Sequence, residues 1–509
     1  MHTILSVSAV FNKLQMVFLG MNLRFPAWLL LFLFPAWLHA QAPDVGWLNM
    51  GNTLKGAYQH KVLAADLQGY YVYQSSGRER SIDKYSYAGN LVYSHKIPLD
   101  DRSIEIEELL VRRQDVLVFF SIYNPSLRRH GLFYMRIPHQ GEAGKPTILL
   151  DMDNVNNRSR SFFYLTSNED LSGFSAVHQD QPRPDELRLE MAFFNDSCQL
   201  TNSTRLLLPQ TEARLELKGL VQDKNHHLFL LLQQFRKERK GPETERLSYS
   251  LLRIDQRDMQ ADELRLGSSV YYLNELQIGY DRANHRVRLA GFYNEKERGP
   301  LQGVVVAQVQ PDSMRFDTIG YSRFDPEFTQ KLYSYKANKK EKELTDYFLG
   351  DLIMRSDGGV VLLAESNYQT NQTFVQYSQG FPIYREVVYY HYDEVVMVSV
   401  NPNGSIDWRQ ILPKTQTSVS PSPYFSYSAF PVGPYVHVLF NEETRSKNSV
   451  MLYSVSNTGQ VVPRNVLTGD INDALIIPAD AKVISPTTIL LPASRRKKKG
   501  IFRLTFGQA

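Results

Sequence analysis

Short apolar or alternating runs, each bounded by turn-forming residues, recur along the chain from about residue 69 to its end. They occupy residues 69–73, 115–120, 227–232, 286–292, 359–364, 436–440 and 488–491. Each has the length and punctuation of a buried strand rather than a helical stripe. After a polar gap a second run follows, at 82–87, 132–137, 187–192, 248–253, 303–308, 395–400, 450–455 and 501–504. Most of these end in a Gly-, Asn- or Asp-bearing turn.

Eight such units follow one another at roughly fifty to sixty residues, with one interval near ninety, a period that suits one propeller blade per unit. The prediction is therefore an all-β fold, a single β-propeller of about eight four-stranded blades. Seven blades is the alternative count, because the region 325–395 divides in two ways. An array of immunoglobulin-like domains would need about 100 residues per unit, nearly twice this period. The last unit, from about residue 473, has room for three strands, and the segment 45–50 is expected to supply a fourth and close the ring. Two insertions are expected, near 325–350 and 368–384. The charged stretch 332–344 reads as a solvated loop, with a short helix as the alternative, and the second insertion, rich in Gln, Thr, Ser and Tyr, reads as a long hairpin.

The N-terminal 40 residues stand apart from this pattern. Arg24 precedes an apolar run at 26–34 that continues through Trp37 and Leu38 and ends in His39-Ala40-Gln41-Ala42. A basic flank, a run shorter than the ~20 residues of a membrane span and a small-residue end predict a secretory signal cleaved after Ala40. Met21 offers a second start, which would make residues 1–20 an extension. The predicted mature chain is 41–509, exported to the periplasm, the cell surface or beyond, with no transmembrane segment after signal removal. Cys198 is the only cysteine, so no intrachain disulfide forms, and a chain of 509 residues has a core large enough to fold without one.

Composition is that of an ordinary globular protein, with 57 Lys and Arg against 53 Asp and Glu, a balance that gives no reason to expect a nucleic-acid partner. The 29 Tyr and 27 Phe matter more, because aromatic enrichment accompanies β structure.

The clearest local motif is Asn401-Pro402-Asn403-Gly404-Ser405-Ile406-Asp407-Trp408. Asn403-Gly404 takes up the positive φ angles of a tight hairpin turn, which leaves Trp408 on the following strand to pack between blades. The Gly-x-x-x-Trp spacing resembles the tryptophan-docking repeats of quinoprotein propellers and, more loosely, the Asp-box hairpins of sialidase-like propellers. In both the element is structural, and no quinone or other cofactor is called for. A second turn, Asp357-Gly358-Gly359, and the segment Tyr389-Tyr390-His391-Tyr392-Asp393-Glu394 complete the set. Over about residues 340–460 the chain resembles uncharacterised secreted propeller-like proteins of Gram-negative bacteria. That resemblance implies a propeller and export, and brings no catalytic residues with it.

Candidate chemistry is sparse. Asp351, Asp357, Glu365, Asp393 and Glu394 are the carboxylates nearest these motifs, and a pair facing a central pocket would suit acid–base work on a glycosidic bond. Tyr368, Tyr384, Tyr389, Tyr390 and Tyr392 lie on or beside the second insertion, where flat amphipathic rings suit protein surfaces and sugar faces. The run Arg495, Arg496, Lys497, Lys498, Lys499 reads as an exposed hairpin turn able to attract an anionic surface. His226, His227 and His391 lack a metal-ligand spacing, so no metal site is proposed. The leading expectation is a non-enzymatic exported scaffold that binds an envelope protein or glycan through its loops. The alternative is a carbohydrate-active hydrolase or lyase with paired carboxylates in the central pocket.

Overall fold

The computed structural model describes residues 43–507, apart from 50–58, 77–78, 98–103, 113–114, 139–141, 156–160, 169–171, 211–212, 237–247, 269, 297–299, 338–346, 379–380, 444–447, 468–472 and 496–497. The proposed signal segment 1–40 lies outside the described residues. Strands dominate, arranged in eight antiparallel sheets. In chain order sheet 1 spans 59–96, sheet 2 spans 104–152, sheet 3 spans 162–209 and sheet 4 spans 213–266. Sheet 5 spans 272–323, sheet 6 spans 347–418, sheet 7 spans 428–465, and sheet 8 covers 474–505 together with Asp44–Asn49. Within sheets 1 to 7 four consecutive strands pair in order, so the chain runs as a meander. Eight antiparallel four-stranded sheets of this kind fit a propeller of about eight blades.

Sheets that follow one another in the chain meet face to face. Eight buried clusters hold the core, and each draws on two sheets that follow one another in the chain. The eighth joins last to first, packing Leu48, Leu490 and Ile501 of sheet 8 against Val62, Tyr70, Val72 and Tyr85 of sheet 1. Where they lie within the sheet stack, the second and third strands are covered on both faces, which is why they read as continuous apolar runs such as Gly303–Gln310, GVVVAQVQ. Fourth strands have a wet face and alternate, as in Leu200–Pro209.

A repeated clasp ties neighbouring sheets. A side chain from the third or fourth strand of one sheet donates to a backbone carbonyl in the turn that joins the third and fourth strands of the next. Asn202 reaches Gln256 O at 3.0 Å, Arg253 reaches Pro311 O at 2.8 Å, and Ser322 reaches Gly404 O at 2.6 Å. Trp408 Nε1 reaches Asn457 O at 2.9 Å, and Arg503 reaches Tyr87 O at 3.3 Å across the junction of sheets 8 and 1. Turn geometry makes the fit close. Gly404 sits at φ 86° with Gly320 against it, and a Cβ on Gly459, at φ 81°, would meet the Trp408 ring at 2.8 Å. Trp408 thus packs between sheets 6 and 7, as its place after the Asn-Gly turn predicts.

The sheet 8 seam is the other notable junction. Asp44–Asn49 pairs antiparallel with Lys498–Thr505, from Asp44 opposite Thr505 to Asn49 opposite Gly500. Trp47 lies over Gly500, where a Cβ would stand 2.4 Å from the indole.

One expectation needs correction. The stretch 332–344 begins inside a helix, α1 (Pro326–Ala337), not in a solvated loop. Asp325 Oδ1 caps it by accepting the Phe328 N–H at 2.9 Å, and Phe328 and Leu332 dock into the cluster between sheets 5 and 6. Residues 338–344 lie outside the described residues.

Candidate functional site

Sheet 6 differs from the rest in its second and third strands, Val360–Ser378 and Phe381–Val400, which run on past their neighbours. The first strand of the sheet stops pairing at Ser366 and the fourth at Val395, while the two long strands stay in register to Ser378 opposite Phe381. The result is a two-stranded arm of about twelve residues per side, roughly 40 Å long at the usual rise per residue. Among the described residues, Gln416–Ser418 is the strand that pairs with its root, against Tyr390, His391 and Tyr392.

The arm carries apolar side chains on both faces. Val375 and Tyr384 oppose one another on one face, whereas Phe374, Ile383 and Phe381 belong to the other. All five are exposed, Phe381 to 75% and Tyr384 to 69%. Tyr384 is therefore the one exposed residue among the predicted binding tyrosines. Tyr368 and Tyr392 are committed to the root. The Tyr368 hydroxyl donates to Asp393 Oδ2 at 2.8 Å, and its ring stacks on His391 at 4.5 Å. The Tyr392 carbonyl accepts from Lys414, and its ring meets Phe425 edge-on. Tyr389 and Tyr390 are half-buried beside them.

Beneath the root the predicted carboxylates gather, but around a cation. Lys414 Nζ lies 2.7 Å from Glu365 Oε1 and donates to Gln416 Oε1 at 3.0 Å. Ser426 Oγ donates to Glu365 Oε2 at 2.9 Å, and the Tyr347 hydroxyl donates to Glu394. Burial pushes the Glu365 carboxyl above its ordinary value, with Asp393 adding to the rise and Lys414 and Ser426 opposing it. The same burial lowers Lys414, against the pull of Glu365, Asp393 and Glu394. Asp351 is likewise raised by burial, with the neighbouring Tyr427 opposing the rise. Glu365, Asp393, Glu394 and Lys414 are buried. Buried and paired in this way, Glu365 and Lys414 lie at the root of the arm.

Asp357 belongs elsewhere. It sits in the turn at the opposite end of sheet 6, where Arg355 bonds it and also reaches Asp407 at 2.8 Å. Partial burial would raise this carboxyl, but the Arg355 hydrogen bond holds it below its ordinary value.

A second feature draws on residues that the sequence motifs did not single out. A cavity of about 950 Å³ is lined by the first strands of sheets 1 and 2, the start of sheet 8 and Tyr424. Glu105, Glu107, Glu108 and Asp480 supply its carboxylates, and Lys61, Lys482 and Lys499 its cations. Lys61 approaches Asp480 at 3.7 Å, while burial raises the Asp480 carboxyl. Glu107 is the extra residue of a β-bulge, between Ile106 opposite Phe120 and Glu108 opposite Phe119. Comparable extra residues interrupt the first strands of sheets 1, 4, 5 and 6. Of the basic run, Lys499 turns to this cavity and Arg495 is half-buried. Arg496 and Lys497, and the side chain of Lys498, lie outside the described residues.

No family model matches this sequence, and no curated protein does. Solved structures do. A polysaccharide lyase is 8% identical at a TM-score of 0.38, with 92% of this chain and 100% of that one covered. The WD40 domain of SCAP from fission yeast is 8% identical at a TM-score of 0.43, with 92% and 98% covered. A GH32 beta-fructofuranosidase from Bombyx mori is 8% identical at 0.26, with 91% and 94% covered.

Two signals in the sequence would have found the residues missed above. The alternation Ile104-Glu105-Ile106-Glu107-Glu108 places several acids on one inner strand. Phe374-Val375 and Phe381-Pro382-Ile383-Tyr384 put neighbouring apolar residues on opposite faces of a hairpin, where a single core cannot cover both. Nothing local marks Lys414.

Proposed function

We propose that this chain is an exported, non-enzymatic scaffold, a closed eight-bladed propeller that holds a protein or glycan partner through the arm of sheet 6. The observation that carries this reading is the arm itself. Five exposed apolar side chains on a projecting hairpin are costly to leave in water unless something covers them. Its root is fastened by a buried ionic cluster, which suits an element that must present a fixed surface. Closure is supported by the seam between Asp44–Asn49 and the last strand and by the cluster shared by sheets 8 and 1. The test is capture from the native envelope, assayed for proteins and glycans. Wild-type protein is compared with a variant lacking residues 371–388, Thr370 being joined to Tyr389 by an Asn-Gly turn. The shortened protein should melt as the wild type does and lose the partner. Retention of the same partner would overturn the proposal.

A second reading, a carbohydrate-active hydrolase or lyase, is favoured by the acid-lined cavity alone. Cleavage of a polysaccharide, abolished by Glu107→Gln or Asp480→Asn with the fold intact, would establish it.

A further inference from the structure

The arm has two edges as well as two faces, and the edges are unequal. Along Phe381–Tyr392 the outer edge carries Pro382, Arg385 and Glu386, and Gln416–Ser418 covers its base. Along 367–378 the outer edge has no charged residue and no proline over twelve positions, and no strand among the described residues pairs with it. Natural proteins guard such edges with charge, proline or bulges because an open ladder of N–H and C=O groups recruits another strand. The outermost strands of this chain are guarded, whereas the other edge strands that lack charge and proline are short, as at Phe162–Ser167 and Ala474–Ile476. Each outermost strand of the eight sheets carries at least one charged residue, from Lys96 in sheet 1 and Asp151 in sheet 2 to Arg464 in sheet 7 and Asp44 in sheet 8.

We propose that the edge 367–378 pairs antiparallel with the same edge of a second copy of this chain, giving a dimer whose two arms form one four-stranded sheet. A second copy supplies what an arbitrary partner would not, an equally long and equally unguarded strand in matching register. Pairing about a two-fold axis is self-complementary, with the axis near Gln372 and Thr373 at the middle of the segment. Because only one edge of each arm is open, the pairing closes at two copies and does not extend into a fibre. The apolar faces stay available, so the dimer presents a doubled surface to the partner proposed above. The inference rests on the arm being a contact element.

The experiment is mass determination by light scattering on purified protein at micromolar concentration. Three proteins are compared: wild type, Gln372→Lys/Thr373→Lys and Gln372→Glu/Thr373→Glu. Like charges meet across the two-fold in either variant. Wild type should be a dimer, and each variant should show a twofold drop in mass with an unchanged melting temperature. An equimolar mixture of the two variants should recover the dimer mass. A monomeric wild type, or a lysine variant that stays dimeric, overturns the pairing. The envelope capture separates the two ideas: loss of partner on shortening the arm, together with a monomeric wild type, leaves the arm reading intact and removes the second copy.

Discussion

Lys414 and Glu365 form an ion pair of 2.7 Å in which the lysine side chain is wholly shielded from solvent. Removing one member of such a pair strands the other charge, typically at a cost of about 3 kcal/mol or more. Lys414→Met should therefore lower the urea midpoint strongly. The double variant Glu365→Gln/Lys414→Met should lose less than the sum of the two single losses. Additive losses would mean that the pair does not act as a unit.

Trp408 combines a hydrogen bond to Asn457 with packing against Gly459. Trp408→Ala should destabilise by about 3–5 kcal/mol, the range for a large buried aromatic. Gly459→Ala should cost at least about 1 kcal/mol, since its φ of 81° and the indole at 2.8 Å both oppose a Cβ. Thermal melts of the two variants check both figures. A Gly459→Ala protein as stable as wild type would show that the turn relaxes.

His437 should make the protein acid-sensitive. Burial brings its imidazole down to about 4, with Arg464 contributing, while it bonds Ser454 at 2.9 Å and stacks on Phe506. Unfolded, a histidine titrates near 6.5. Between those values the unfolded chain binds the extra proton, so stability is complete above about 6.5 and is lost as pH falls toward 4. His178, lowered by its own burial and by His130, acts in the same direction. Urea midpoints measured from neutral pH down to 4 should decline, and His437→Gln should decline less steeply over the same range.

Deleting residues 44–49 should sharply lower the melting temperature, and Leu48→Ala alone should cost about 2–3 kcal/mol through its loss from the cluster between sheets 8 and 1. A deletion protein that melts like the wild type would show that the fold does not depend on this strand.

The strands legible in the sequence are those buried on both faces. The second run at 187–192 lies within Glu186–Asn195, and that at 303–308 within Gly303–Gln310, both third strands. In sheets 1, 2, 4, 5 and 6 the first strands hid because bulges break their alternation, as in Ala213–Gln222, where Lys218 is extra between Leu217 and Gly219. The helix was legible only as the less favoured reading of 332–344, because its start signal, Asp325-Pro326-Glu327, lies upstream of that charged stretch. At the site, the long hairpin and its tyrosines were visible as composition. Lys414 was not, because only the fold carries it from beyond the fourth strand of sheet 6 back beneath the arm. The pairing of Glu365 with a lysine instead of a second catalytic acid was hidden with it.

Asp44 faces Thr505, so this seam zips together strands from opposite ends of the described residues. Asp44–Asn49 has no other strand partner among those residues, and its ladder cannot form until 500–505 have been made. Whatever loosens one strand of the pair withdraws the hydrogen bonds of the other.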